Sequence, residues 1–165
     1  MSRTSSRPDS PRSVSVTREV GASCESLWAM VSDVTRMGEW SPENEGATWM
    51  KGATGPAVGA RFQGKNRNGT KTWKTVAVVT KAETGRAFEF DVVAGPFKIA
   101  RWGYAFEPAG DDTCVVTETW TDLRGALITK IGKPISGVAD RAEHNRAGMV
   151  TTLDNLAAAV TPAAG

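Results

Sequence analysis

Between residues 47 and 121 the sequence consists of short segments in which apolar and polar residues alternate. Six such segments are apparent, at 47–50, 60–66, 72–81, 86–93, 98–107 and 113–121. The residues that separate them are rich in Gly, Asn, Asp and Pro, which favour turns. Because short connections join strands that are neighbours in space, this pattern predicts an antiparallel meander of six strands.

Helical patterns lie on both sides of these strands. Residues 14–20 alternate as one more strand, and Gly21 ends it. Ser23 is a suitable N-cap for a helix that continues to Val34, and residues 34–40 are predicted to form a second short helical turn. A long last helix is predicted at 138–160 from an apolar stripe at helical spacing. That stripe consists of Val138, Ala142, Met149, Leu153, Leu156 and Val160.

This order of elements predicts an α+β domain with one sheet and one long helix. A seven-stranded antiparallel sheet is expected to curve around the C-terminal helix, with two short helices after the first strand. We assign the domain to 14–160, a polar disordered tail to 1–13 and a short tail to 161–165. The segment 124–137 contains Gly132, Pro134 and Gly137, and it fits a helix, a lid or a loop. Because the helix alone does not fill such a sheet, we expect an internal cavity.

Composition narrows the possible partners. The net charge is +2, and without residues 1–13 the chain has 17 basic and 17 acidic residues, so we expect no nucleic-acid partner. The sequence has no apolar run of about 20 residues, and we expect no stable membrane insertion. The polar N-terminus has no apolar segment of the signal-peptide type, which favours a cytoplasmic protein. We expect the protein to be a monomer or a homodimer.

The two cysteines and one histidine predict no metal site and no cofactor. Cys24 and Cys114 lie far apart in the sequence and have no metal-binding or redox spacing. A structural zinc site takes about four Cys or His ligands, and these two cysteines with His144 are too few. We therefore expect two reduced, buried thiols, and a histidine at the rim of the domain.

Three stretches of the chain resemble a known family. The first is SCESLWAMVSD at 23–33 with MGEWSP at 37–42, and the second is VGARF at 58–62 with GKNR at 64–67. The third is VTETW at 116–120 with Thr152 and Leu153 of the closing helix. Over 14–160 the chain resembles the START-like superfamily (SRPBCC type), which includes polyketide cyclases and dehydrases, lipid-transfer domains and the birch-pollen allergen. It looks most like the actinobacterial polyketide cyclase/dehydrase members. The resemblance implies a helix-grip fold but no particular activity, since the superfamily includes both enzymes and carriers.

Alternation along the strands selects candidate ligand-binding residues. On the strand at 98–107, Ala100, Trp102, Tyr104 and Phe106 share a face, and on the next strand Glu118 shares a face with Trp120. These aromatic side chains fit either a pocket lining or ordinary core packing. The candidate ligand-binding residues are Trp40, Phe62, Trp73, Phe90, Trp102, Tyr104, Glu118, Trp120, Asn145 and Met149.

Glu118 is the candidate with the clearest chemical consequence. A carboxylate among aromatic side chains must find a partner or stay protonated, and Arg101, Tyr104 and Asn145 are possible partners. If burial raises its pKa, Glu118 is suited to general acid or base chemistry, with Tyr104 as a second catalytic candidate. The alternatives are a structural carboxylate with a satisfied hydrogen bond and a side chain that faces solvent.

Three functions remain open at this stage. The first is binding or transport of a small hydrophobic ligand, such as a lipid or a polyketide-like aromatic metabolite, in the internal cavity. The second is a polyketide cyclase, aromatase or dehydratase in which Glu118 or Tyr104 transfers protons. The third is a stress or scaffold protein with a packed interior and no ligand.

Overall fold

The computed structural model describes residues 12–125 and 140–160. The predicted tails lie outside the described residues, apart from positions 12 and 13, as does most of the open segment 124–137. The elements in chain order are β1 (Ser13–Val20), α1 (Cys24–Ser32), a 3₁₀ helix (Val34–Glu39), β2 (Asn44–Met50), β3 (Arg61–Asn68), β4 (Lys71–Glu83), β5 (Ala87–Ala94), β6 (Phe97–Gly110), β7 (Thr113–Asp122) and α2 (Arg141–Val160).

The strands form one antiparallel seven-stranded sheet in the order β1-β7-β6-β5-β4-β3-β2. Strands β2 to β7 follow each other as a meander, as the turn signals predict. The first strand returns to the far edge and pairs with β7, from Ser13 opposite Thr121 to Val20 opposite Cys114. The α+β class, the curved sheet and the closing helix are therefore confirmed, and β2 begins three residues before the predicted start at 47.

The two short helices begin with side-chain caps. Ser23 caps α1, because its hydroxyl accepts a hydrogen bond from the backbone N–H of Ser26 at 3.1 Å. Asp33 ends α1 and caps the 3₁₀ helix, accepting a bond of 3.2 Å from the backbone N–H of Thr35. The change of helix type at Asp33 explains why the regular apolar spacing ends there.

Gly38 allows the 3₁₀ helix to lie directly against the start of β2. A Cβ atom at this position would lie 2.9 Å from the backbone carbon of Glu45, closer than real Cβ contacts. The absence of a side chain therefore permits this approach. The close approach of the 3₁₀ helix to β2 also places the buried side chain of Trp40 beside this edge strand.

The core lies between the sheet and α2, and we call the face of the sheet toward α2 the inner face. A large cluster includes Phe62, Phe88 and Phe90 with Leu153 and Leu156 of α2. A smaller cluster contains Val14, Ala100, Trp120, Ala142 and Met149. Trp102 packs against both clusters and so connects them.

The outer face of the sheet carries a row of hydroxyl pairs and a buried ion pair. Side chains of β1 and β7 pair as Ser15 with Thr119 at 2.9 Å and Thr17 with Thr117 at 3.0 Å. Further along, Asp91 is 2% exposed and accepts bonds of 2.7 and 3.0 Å from Arg101. Burial opposes the charge of Asp91, but the bonds from Arg101 and Lys98 outweigh it and hold the pKa below its usual value.

The prediction of two reduced thiols is wrong for this structure. Cys24 at the start of α1 and Cys114 at the start of β7 form a disulfide, with their Cα atoms 5.1 Å apart. The cause is the return of β1 to the sheet edge, which places Val20 opposite Cys114 four residues before Cys24. This pairing depends on contacts between distant parts of the chain, so the local spacing of the cysteines does not reveal it.

Candidate functional site

The centre of the candidate site is a carboxyl and phenol pair on two neighbouring strands. Tyr104 of β6 lies directly opposite Glu118 of β7, and both side chains are on the inner face. The Tyr104 hydroxyl donates a hydrogen bond of 2.8 Å to Oε1 of Glu118. Of the three partners considered for Glu118, Tyr104 is therefore the one that the fold supplies.

The other two possible partners are engaged elsewhere. Arg101 is on the outer face, where it binds Asp91 and lies 3.5 Å from Glu89. Asn145 is on α2, and its Oδ1 accepts a bond of 3.4 Å from Arg141. The suggestion of Arg101 as a partner is wrong because residues 101 and 104 have opposite parity on β6, and side chains alternate between the two faces.

Glu118 is 2% exposed, and its burial changes its acid–base properties. Burial raises the pKa of Glu118 to about 8, and the hydrogen bond from Tyr104 partly offsets this effect. Burial, followed by the nearby negative charge of Glu118, raises the pKa of Tyr104 well above its usual value. At neutral pH the pair is mostly an uncharged carboxylic acid bonded to an uncharged phenol.

Two polar atoms of the site are buried without a hydrogen-bond partner. They are Oε2 of Glu118 and Nδ2 of Asn145, the two such side-chain atoms found in residues 12–125 and 140–160. Most buried polar atoms in folded proteins have a partner, and an unpaired one costs roughly 1–3 kcal/mol. These atoms therefore mark the interior between β7 and α2 as a place where a further molecule could bind.

The structure places the remaining predicted residues in different parts of the domain. Trp120 and Met149 lie in the smaller cluster, and Phe62 and Phe90 form an edge-to-face pair with ring centroids 5.0 Å apart. Trp102 is half-buried and connects the two clusters. Asn155 of α2 fixes the position of Trp40 by donating a hydrogen bond of 2.9 Å to its backbone carbonyl. Trp73 is half-buried at the end of the sheet, under the guanidinium of Arg141. These positions fit the predicted inner lining, and their role in binding stays a prediction.

A polar network at the start of β2 was missed by the sequence analysis. The amide of Asn44 donates to Asn66 at 3.3 Å, and Asn66 donates to Thr75 at 3.1 Å. Gly64 leaves room for this network, because a Cβ there would lie 3.1 Å from both Asn44 and Thr75. The available sequence signal was alternation, which places Asn66 on the same face as Phe62.

A charged cluster attaches the start of α2 to the same end of the sheet. Arg141 donates bonds of 2.9 and 3.0 Å to the carboxylate of Glu43, and His144 lies 2.7 Å from the same carboxylate. His144 is partly exposed, so it lies at the rim as expected. Arg141 also bonds Asn145, and the cluster thus connects the rim to the buried amide.

A surface groove of about 710 Å³ lies at the other end of the sheet. It follows the segment around the disulfide, lined by Ser23, Cys24, Gly85, Phe106 and Pro108 among others. None of the predicted ligand-binding residues lines it. The groove is therefore separate from the candidate site, and the internal cavity stays a prediction.

Within the described ranges no group of three or more His, Cys, Asp or Glu side chains could hold a metal ion. The same part of the chain has no helix long and apolar enough to cross a membrane.

Similar structures show the class of fold. A START superfamily protein from Mycobacterium smegmatis has 17% sequence identity and a TM-score of 0.67, covering 90% of this chain and 99% of that chain. The Polyketide_cyc-like protein Cgl2372 from Corynebacterium glutamicum has 31% identity and a TM-score of 0.58, with 93% and 90% covered. The protein CV1439 from Chromobacterium violaceum has 14% identity and a TM-score of 0.67, with 93% and 100% covered.

The sheet and the long helix thus define a START-like helix-grip protein. The family model described as polyketide cyclase / dehydrase and lipid transport matches residues 11–161, nearly the whole chain. The chain belongs to this polyketide cyclase/dehydrase and lipid transport family. The comparison with curated proteins found no match.

Proposed function

We propose that this protein binds or carries a small, mainly apolar molecule between the inner face of the sheet and α2. The family supports a fold that binds hydrophobic ligands. Lipids and polyketide-like aromatic metabolites are the ligand classes that we favour. Apolar area from the inner aromatic side chains supplies the affinity, and the few polar groups orient the ligand.

The observation that carries this proposal is the buried Glu118–Tyr104 pair. A packed core without a ligand would favour apolar residues here, because burying a carboxyl group with one unpaired oxygen is unfavourable. A polar group held at this cost inside an aromatic lining is typical of an orienting group in a ligand site. The third possibility, an interior without any ligand, leaves the burial of Glu118 with an unpartnered oxygen unexplained.

Tryptophan fluorescence tests the proposal and locates the ligand. Oleic acid and 2-acetylnaphthalene, titrated separately, are expected to change the emission of the protein in a saturable way. Trp102→Phe is expected to remove most of this change, since Trp102 connects the two core clusters. Trp28→Phe is the matched control, because Trp28 lies on α1, its indole N–H is held by the carbonyl of Ala87 at 2.8 Å, and it does not belong to the smaller cluster around Trp120. No saturable change with either probe, or a change lost only in Trp28→Phe, would count against the proposal.

Polyketide cyclisation or dehydration is a second candidate, and one observation favours it. Burial raises the pKa of Glu118 to about 8, which suits a group that both donates and accepts protons near neutral pH. Glu118→Gln is then expected to bind the substrate but to lower turnover by about a hundredfold or more. For a carrier, the same variant changes affinity and there is no turnover to lose.

We also propose that the protein acts in the cytoplasm. Its core is large enough to fold without a covalent cross-link, so an oxidising compartment is not required. The Cys24–Cys114 disulfide is unusual for this location, because cytosolic thiols are normally kept reduced. Fractionation of cells that express the full chain is expected to recover the protein in the cytoplasmic fraction. Recovery of the protein from an oxidising compartment would contradict this proposal.

A further inference from the structure

The two unpartnered buried atoms of the site have a defined chemical character. Nδ2 of Asn145 is an amide nitrogen, which donates hydrogen bonds and does not accept them. Its position is set by its neighbour, because Oδ1 accepts from Arg141 and a guanidinium has no acceptor atom. The reverse orientation of the amide would place two donors against each other, so Nδ2 is the atom left free.

Oε2 of Glu118 is a second donor at neutral pH. Oε1 accepts the hydrogen bond from Tyr104, so the carboxyl proton belongs on the unpartnered Oε2. Burial keeps that proton bound, since it raises the pKa of Glu118 to about 8. The interior thus presents two unused hydrogen-bond donors, and no acceptor from residues 12–125 or 140–160 reaches either of them.

The two donors belong to the same part of the interior. Glu118 and Trp120 are successive inner-face residues of β7, which places them roughly 7 Å apart. Trp120 packs in one cluster with Ala142 and Met149 of α2. Asn145 lies between Ala142 and Met149 on the same buried stripe of that helix. Both donors therefore belong to the part of the interface between β7 and α2 that surrounds Trp120.

We propose that the bound molecule carries a carbonyl oxygen, as in a ketone, aldehyde or ester, which accepts hydrogen bonds from Glu118 and Asn145. Such an oxygen has two lone pairs and can satisfy both donors at once, while the rest of the molecule contacts the aromatic lining. A pure hydrocarbon leaves both donors unpaired. This inference rests on the proposed ligand-binding function and adds the chemical class of the ligand.

The carboxyl group must stay protonated for this role, and the surrounding groups determine when it does. Tyr104 is the titratable group that bonds it from β6, while Arg101 and Lys98 of that strand pair with Asp91 on the outer face. From β1, Arg18 pairs with Asp154, and from α2, Arg141 and His144 pair with Glu43. No cation among these bonds Glu118, so its ionisation above about pH 8 replaces a donor by a negative charge.

The test compares two probes of the same shape. 2-Acetylnaphthalene carries the carbonyl oxygen and 2-ethylnaphthalene does not, and calorimetry gives the dissociation constant of each with the full chain. At pH 6.5 the ketone is expected to bind about tenfold more tightly than the hydrocarbon. At pH 9.5 this ratio is expected to fall toward one. The infrared carbonyl stretch of the ¹³C-labelled ketone is expected to move to lower frequency on binding than in hexane.

Three variants separate the two donors from general effects on folding. Glu118→Gln keeps a donor in the unpartnered position, so the ketone preference is expected to persist and to lose its pH dependence. Asn145→Leu removes the other donor and is expected to lower the ratio severalfold, whereas Arg146→Leu, at the neighbouring exposed position, is expected to leave it unchanged. Circular dichroism verifies that each variant is folded. The comparison of the two probes at pH 6.5 and 9.5 with the unmodified protein tests the inference independently of the variants.

The outcomes distinguish this inference from the proposed function. Equal binding of both probes at pH 6.5 overturns the carbonyl assignment and leaves hydrophobic binding in place; water would then occupy the two donors. A ketone preference without a frequency shift also overturns it. Failure of the protein to bind either probe counts against the proposed function and the inference together.

Discussion

The hydroxyl of Tyr104 donates a hydrogen bond of 2.8 Å to Oε1 of Glu118, between residues directly opposite each other on β6 and β7. Tyr104→Phe removes this donor and leaves Oε1 buried without a partner. We expect a loss of about 1–3 kcal/mol in the free energy of unfolding at neutral pH, measured by urea denaturation. The pKa of Glu118 is expected to rise further, because the bond from Tyr104 lowers it. Carboxyl ¹³C NMR measures that pKa.

Phe106→Leu is a suitable control for lost aromatic area. Phe106 is buried on the same face of β6 as Tyr104, but no hydrogen bond of its side chain is involved. This variant is expected to lower stability through lost packing and to leave the pKa of Glu118 in place. A similar pKa change in both variants would show that packing, and not the phenol, sets the acidity of Glu118.

Glu118→Gln is expected to change how stability depends on pH. The pKa of Glu118 is about 8 in the folded protein and about 4.5 when unfolded. Between these values the folded state keeps a proton that the unfolded state releases, so this group lowers stability as pH rises and has no further effect above about pH 8. Glu118→Gln lacks this loss, and its stability relative to the unmodified protein is expected to rise by a few kcal/mol between about pH 5 and pH 9. Parallel stability curves would contradict the raised pKa.

The disulfide is expected to stabilise the fold substantially. Cys24 and Cys114 are separated by 90 residues, and closing a loop of that length is worth about 4–5 kcal/mol when the effect is on the unfolded chain. Thermal unfolding is expected at lower temperature in the presence of a phosphine reductant. The Cys24→Ser, Cys114→Ala double variant is the control and is expected to show no effect of the reductant. A melting temperature of the unmodified protein that does not respond to full reduction would contradict this account.

The Asp91–Arg101 ion pair on the outer face is expected to be needed for stability, because Asp91 is buried. Arg101→Met leaves the Asp91 carboxylate with Lys98 alone, at 3.4 Å, and should lower the free energy of unfolding by about 3 kcal/mol. The Asp91→Asn, Arg101→Met double variant removes the buried charge as well and is expected to recover part of this loss. If the double variant is less stable than Arg101→Met, the unpaired charge is not the cause. A double-mutant cycle with urea denaturation measures both values.

Most of the fold follows from local patterns in the sequence. The alternation on β6 and β7 places Trp102, Tyr104, Glu118 and Trp120 on the inner face, and the turn residues give the meander order. The pairing of β1 with β7 cannot be predicted in this way, since no local feature of β1 selects its neighbour. The disulfide follows from that pairing, and this is why the cysteines were interpreted as free thiols.

For the candidate residues, the face of the sheet on which they lie was predictable, whereas their contacts were not. Alternation placed Glu118 on the inner face but left three possible partners, and the strand register, which puts Tyr104 opposite it, selects one of them. Glu43 and Asn44 lie at the start of a short edge strand with no clear alternation, so their contacts with Arg141 and Asn66 had no local signal. Contacts between α2 and the sheet depend on the curvature of the sheet, which local spacing does not define.

Native mass spectrometry of gently purified protein is the most direct test of the claim that the interior around Glu118 and Asn145 binds a small apolar molecule. The account predicts a stoichiometric adduct that leaves on activation and whose extracted mass and infrared spectrum show a carbonyl group. Glu118→Leu, purified in the same way, is expected to carry less of it. A protein without any adduct, which also gives no saturable fluorescence change with oleic acid or 2-acetylnaphthalene, would contradict the claim and favour an interior that binds no ligand.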